Sequence, residues 1–160
     1  MRAAVAFYVA RAAEKRRRQK FVAGAITVFI ETDRFRPVAP YSNAATLMVA
    51  PKSDSTWELQ ELALSDLARI FKPGYDYCQA GVTLGSLELA DLVAKRPWAD
   101  EWYERQRRLM AAVDQLNAKF GWDTVRCDIF PTDGLWRTRF TKRSPRYTTR
   151  WSEICDVLAR

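Results

Sequence analysis

The chain has 160 residues, 48% of them hydrophobic, and carries 26 Lys and Arg against 19 Asp and Glu for a formal charge of +7. This apolar content excludes disorder by composition, and no apolar run approaches the about 20 residues that a membrane span requires. Histidine is absent and Cys78, Cys127 and Cys155 lie far apart with no CxxC, which excludes Ser-His-Asp and Cys-His catalytic sets and leaves no zinc site.

Neither a metal nor a cofactor is therefore expected, and the thiols read as reduced and structural. Residues 1–20 hold seven cations and one acid, residues 21–135 twelve cations and sixteen acids, and residues 136–151 six cations and no acid. Two basic blocks around an acidic middle are an electrostatic footprint for a polyanion. Blocks made mostly of Arg suit bidentate phosphate contacts. Residues 3–10 are apolar, but charge begins at Arg11 and no small-residue cleavage site follows. No secretory signal is read, and a cytoplasmic location is expected.

In chain order, residues 2–19 predict a helix. Val5, Tyr8, Val9, Ala12 and Ala13 form one stripe, and Arg11, Lys15, Arg17 and Arg18 fall off it. Residues 21–32 predict a strand with Ile26, Val28 and Ile30 on the core face and Thr27, Phe29 and Glu31 on the other. Gly24 inside it marks a bulge. Residues 33–43 read as a loop punctuated by Pro37 and Pro40, and 44–50 as a second strand. Ser55 and Glu58 spell a capping box ahead of a helix bearing Leu59, Leu62, Leu67, Ile70 and Phe71. That helix stops at Lys72-Pro73-Gly74, and 75–84 predicts a third strand. Residues 85–103 show no sustained period. Residues 104–120 form the strongest amphipathic helix, with Leu109, Ala112, Val113, Leu116 and Phe120 on one face and Gly121 at its end. Residues 124–130 and 135–141 read as a hairpin turning at Asp133-Gly134.

Helix, strand, strand, helix, strand is part of a β-α-β-β-α-β plan. The expected class is α+β: an incomplete sheet of this plan with two helices on one face and its first strand missing, followed by a small helix-plus-hairpin domain.

Several blocks resemble UmuC-type Y-family translesion DNA polymerases. They are Val22-Ala23-Gly24-Ala25 running into a β-segment, Arg34-Phe35-Arg36-Pro37, Tyr41-Ser42-Asn43, Ile70-Phe71-Lys72-Pro73-Gly74-Tyr75, Ala80-Gly81-Val82, Leu109-Met110-Ala111-Ala112-Val113-Asp114, Phe120-Gly121, and Ser144-Pro145-Arg146-Tyr147-Thr148-Thr149-Arg150-Trp151 at the C-terminal end. The resemblance implies a little-finger DNA-binding domain at 1–87, a linker at 88–103 and a small basic C-terminal domain at 104–160. It also implies a role in SOS-type DNA repair and mutagenesis. The family's palm, with the carboxylates that hold two magnesium ions for nucleotidyl transfer, has no counterpart here. No GxxxxGK[ST] loop is present either. The expectation is a non-enzymatic part of a polymerase, with no catalytic and no metal-binding residues.

The expected DNA contacts are Arg34, Arg36, Ser42 and Asn43 around the first loop, Arg16, Arg17, Arg18 and Lys20 at the end of the first helix, and Arg137, Arg139, Lys142, Arg143, Arg146 and Arg150 in the C-terminal block. The cations of residues 136–151 have no acid partner nearby in sequence. All of these groups suit phosphate contacts that fix register on a primer-template duplex without reading sequence. Trp136, Tyr147 and Trp151 are expected to pack the small domain.

Glu88-Leu89-Ala90-Asp91-Leu92-Val93 looks like a degenerate sliding-clamp peptide of the form Gln-Leu-x-Asp-Leu-Phe. Leu89, Asp91, Leu92 and Val93 would be its contacts. Glu for Gln and Val for the aromatic anchor weaken it. The competing function is a protein-interaction module docking on the clamp, a recombinase filament or UmuD-like subunits. A third is a decayed product that folds poorly with an open sheet edge.

Overall fold

The structure, a computed structural model, describes residues 1–35, 40–94, 101–121, 124–126 and 144–154. The element order is helix α1 (Arg2–Arg18), strands β1 (Phe21–Thr32) and β2 (Ser42–Ser53), helix α2 (Thr56–Ile70), strands β3 (Tyr77–Gly85) and β4 (Glu88–Leu89), and helices α3 (Ala90–Ala94) and α4 (Glu101–Phe120). A single 3-10 turn follows at Trp151–Glu153. The fold is α+β, as expected.

The sheet is antiparallel in the order β2-β1-β3, with the short β4 pairing the start of β1. β1 lies between β2 and β3, and its inward side chains, Ile26, Val28 and Ile30, are fully buried. Each such burial contributes about 1.5–3 kcal/mol. The register of β1 with β2 shifts opposite Gly24, between Ala23 and Ala25.

Helices α1 and α2 pack on each other and on the same face of the sheet. Val5, Val9 and Ala13 of α1 meet Leu59, Ala63 and Leu67 of α2 and the inward residues of the strands in one core. The buried Gln60 amide donates to the Ala6 carbonyl at 3.0 Å, so this polar group is satisfied.

Ser55 is the N-cap of α2 in extended conformation, but its side chain makes no capping bond. The expected capping box is not formed. The Ser53 hydroxyl accepts the Ser55 N–H at 3.1 Å, and the Thr56 N–H points to the Met110 sulfur at 3.5 Å. This helix end is closed by side chains from other elements.

The stretch read as a linker, 88–103, is structured at both ends. Glu88–Leu89 extends the sheet, Ala90 and Val93 are buried with Val22 and Tyr103 in a second small core, and α4 begins at Glu101. α4 ends at Gly121, whose φ of +105° suits only a residue without Cβ. The Asn117 amide then receives the Val125 N–H at 2.8 Å and donates to its carbonyl at 3.0 Å. The hairpin expected over 124–141 lies outside the described residues except for 124–126.

Candidate nucleic-acid interface

With both long helices of the first 85 residues on one side, the opposite face of the sheet carries no helix from this part of the chain. Strand pairing sets its side chains in rows. Ser42, Glu31 and Gln79 form the first row, Ala44, Phe29 and Gly81 the second, Thr46, Thr27 and Thr83 the third, and Met48, Ala25 and Gly85 the fourth. Strands lie about 4.8 Å apart and rows about 6.7 Å, so the three-residue rows make a mostly small-sided surface. The Thr27 and Thr46 hydroxyls share a hydrogen bond at 2.8 Å. Phe29 lies across Gly81 so closely that a Cβ there would overlap its ring. Glycine is what allows the ring to lie flat.

Glu31 is the acid in these rows, and it is covered. The Ser42 hydroxyl donates to it at 3.3 Å, and the Arg34 guanidinium lies 3.9 Å away, largely exposed. Arg34 and Ser42 therefore sit together at one end of the face, beside the exposed Phe35. Arg36 lies outside the described residues. Asn43 pairs with Ile30 and so belongs to the helix side of β2. Its amide donates to the Tyr41 hydroxyl at 3.1 Å, and that hydroxyl donates to the Ile70 carbonyl at 2.6 Å.

The four cations at the end of α1 separate into different roles. Arg17 is not off the buried stripe: it continues the step of four through Val5, Val9 and Ala13, and its side chain is 9% exposed. Its guanidinium donates twice to Asp114 of α4 at 2.8 Å, to the Asp54 carbonyl at 2.7 Å and to the Thr56 hydroxyl at 2.9 Å. It joins α1, the β2–α2 junction and α4, and is turned away from solvent. Arg18 pairs with Glu14. Arg16 donates to Gln19 at 3.0 Å, and Lys20 is exposed in the turn before β1.

Around Arg17, burial raises the Asp54 carboxyl above its ordinary value, against the pull of Arg17 and then Arg107. Burial, and then the Asp54 charge, push the Tyr103 hydroxyl up to about 12. These groups form a polar knot at the end of the sheet opposite Arg34.

In the C-terminal block, Arg137, Arg139, Lys142, Arg143 and Trp136 lie outside the described residues. Arg146 and Arg150 do have an acid partner, contrary to expectation. The Glu153 carboxylate receives the Arg146 N–H at 2.6 Å and its guanidinium at 3.2 Å, with Arg150 at 3.6 Å. The Arg146 N–H, as the largest influence, holds the Glu153 carboxyl below its ordinary value. Trp151, expected to pack, is 91% exposed, and Tyr147 is about half exposed.

In the clamp-like segment, Leu89 lies in β4 and Asp91, Leu92 and Val93 in α3. Leu89 and Leu92 are exposed, Asp91 faces Arg107 at 3.9 Å, and Val93 is fully buried. The segment is therefore a short strand running into a helix, with Leu89 and Leu92 accessible and Val93 turned into the core. Among the described residues, no group of three or more His, Cys, Asp or Glu is placed to hold a metal ion. Among them too, no helix is long and apolar enough to cross a membrane.

Comparison with known proteins matches residues 1–96 to the impB/mucB/samB family C-terminal domain and residues 107–157 to a domain of unknown function, DUF4113. The chain is 35% identical over 164 residues to Protein UmuC of Salmonella typhimurium, covering 98% of this chain and 38% of that protein. It is 31% identical over 157 residues to Protein ImpB of the same species, covering 96% and 37%. It is 33% identical over 162 residues to Protein MucB of Escherichia coli, covering 96% and 36%. The chain thus spans little more than a third of the length of these relatives.

Proposed function

We propose, on the premise that this chain belongs to the impB/mucB/samB family through its C-terminal domain, that it is the non-catalytic, DNA-contacting portion of an error-prone translesion polymerase. Its open sheet face lies against a primer-template duplex and holds it by the phosphate backbone. The observation that carries this reading is the sheet face that carries no helix among the described residues, with small side chains in every row and hydroxyls in two of them.

Small side chains let a sugar-phosphate strand approach the sheet closely, and hydroxyls donate to phosphate without reading sequence. The one carboxylate in the rows is covered by Ser42 and Arg34, so the face does not repel a polyanion. Arg34 at one end of the sheet and Arg16 and Lys20 near the other supply charge, and the sequence adds Arg36, Arg137, Arg139, Lys142, Arg143, Arg146 and Arg150 to the cations that attract a polyanion. Arg17 takes no part in contact; it holds α4 in place. This role belongs in the cytoplasm, as part of SOS-type DNA repair. Nucleotidyl transfer is assigned to parts of such a polymerase outside this chain.

The test is fluorescence anisotropy of a labelled primer-template duplex at several salt concentrations. Affinity is expected to fall linearly in log-log form, with a shallower slope for Arg34→Glu. Salt-independent binding, or none at low salt, overturns the reading.

One observation favours a second reading. Trp102, Leu109, Leu116 and Phe120 form an exposed apolar stripe along α4, the kind of surface that docks on another protein. A protein partner such as a UmuD-like subunit, the clamp or a recombinase filament would be retained at moderate salt and lost on Leu109→Glu.

A further inference from the structure

We propose that the loop from Ser144 to Ile154 is a binding site for single-stranded DNA. Trp151 stacks on an unpaired base, and Arg146 and Arg150 hold the neighbouring phosphates. This extends the nucleic-acid reading to a different ligand and to residues on no part of the sheet face.

The loop is closed by its own hydrogen bonds. The Thr149 and Arg150 N–H groups both donate to the Arg146 carbonyl, at 3.1 and 2.9 Å. The Glu153 N–H donates to the Arg150 carbonyl at 3.1 Å and the Ile154 N–H to the Trp151 carbonyl at 3.3 Å. Glu153 then ties the two ends together by accepting the Arg146 N–H and guanidinium, with the Arg150 guanidinium as an ion-pair neighbour at 3.6 Å. An indole normally hides most of its surface. Here the loop presents it 91% exposed, with Tyr147 about half exposed nearby in sequence.

An exposed ring carried on a hydrogen-bonded loop is a platform for a base face. Bases in a duplex have both faces covered by their neighbours, whereas an unpaired base has a face to offer. Each guanidinium has five N–H donors, more than a share of one carboxylate can use. Arg146 and Arg150 therefore retain donors for phosphate while Glu153 fixes where they point. Ser144, Thr148 and Thr149 add hydroxyls, and the chain from 136 to 151 contains six cations and no acid. That composition favours a nucleic acid over an apolar protein pocket. Glu153 is a positioning residue: it touches the two arginines, not the ligand.

The test uses the whole chain with labelled oligo-dT and, in parallel, a labelled duplex of equal length. Trp151→Ala is expected to weaken oligo-dT binding by roughly ten-fold and to leave duplex binding within about two-fold. Trp151→Phe should retain most of the affinity, because a ring remains. Glu153→Gln should lose part of it with the far-ultraviolet circular dichroism unchanged. The proposal is overturned if Trp151→Ala leaves oligo-dT binding intact, if it weakens both ligands equally, or if Trp151 is needed only for capture of a protein. Trp151-dependent oligo-dT binding without duplex binding would sink the sheet-face reading and keep this one; Arg34-dependent duplex binding with no effect of Trp151 would do the reverse.

Discussion

Removing the Asp114 carboxylate tests how α4 is held to the rest of the chain. Arg17 is 9% exposed and Asp114 21%, and they are joined by two bonds of 2.8 Å. Breaking one partner of a buried pair costs about 3–5 kcal/mol, because the other charge is left uncompensated. Two features reduce that here. Arg17 keeps its bonds to the Asp54 carbonyl and the Thr56 hydroxyl, and the site touches solvent at Asp114. Asp114→Ala should therefore cost about 2–3 kcal/mol, a large part of the about 5–15 kcal/mol typical of a folded domain.

The assay is urea denaturation, with a thermal midpoint expected to fall by about 5–10 °C. The double variant Arg17→Met/Asp114→Leu should recover most of the loss, because it removes both charges from a half-dry site. A loss below about 0.5 kcal/mol for Asp114→Ala, the value of an ordinary surface pair, would refute the claim that this ion pair fastens α4.

Two further outcomes follow from single positions. Gly81→Ala places a Cβ against the Phe29 ring; the ring must lift off the face, so duplex affinity should drop more than stability does, measured by anisotropy and denaturation side by side. Asp66 is fully buried, with Oδ2 lacking a hydrogen-bond partner, and burial raises its carboxyl above the ordinary 3.8 against the pull of Arg69. Its charged form is therefore a cost in the folded state. That cost is absent below 3.8, where the group is protonated in both states, and grows as pH rises through the raised value. Asp66→Asn should thus stabilise by about 1 kcal/mol at neutral pH, and the gain should vanish as pH falls below 4; a gain that is constant with pH would contradict it.

Much of the fold was legible because local periods carried it. Alternation over Phe21–Thr32 separated Ile26, Val28 and Ile30 from Thr27, Phe29 and Glu31, and burial follows that division. The rows of the open face were not legible, because one strand names its own outward residues and only the register brings Thr46 and Thr83 beside Thr27. Arg17 carries a local signal of burial, since Val5, Val9, Ala13 and Arg17 keep a step of four. Its partner Asp114 is 97 residues away, beyond any local pattern. Glu153, the partner of Arg146 and Arg150, lies just past the end of the basic block at Trp151, so the block alone does not point to it. The 88–94 stretch lacked a period because its two short elements are ordered by Val22 and Tyr103 rather than by their own sequence.

The central claim is that the open sheet face, not the helix side, lies against duplex DNA. The direct measurement compares one added carboxylate on each side: Thr46→Glu on the open face and Ser65→Glu on the exposed surface of α2. Both variants change the net charge equally, so any difference in duplex affinity at low salt reports position alone. The account predicts a loss of about ten-fold for Thr46→Glu and less than about two-fold for Ser65→Glu. Equal losses, or a greater loss for Ser65→Glu, would contradict it.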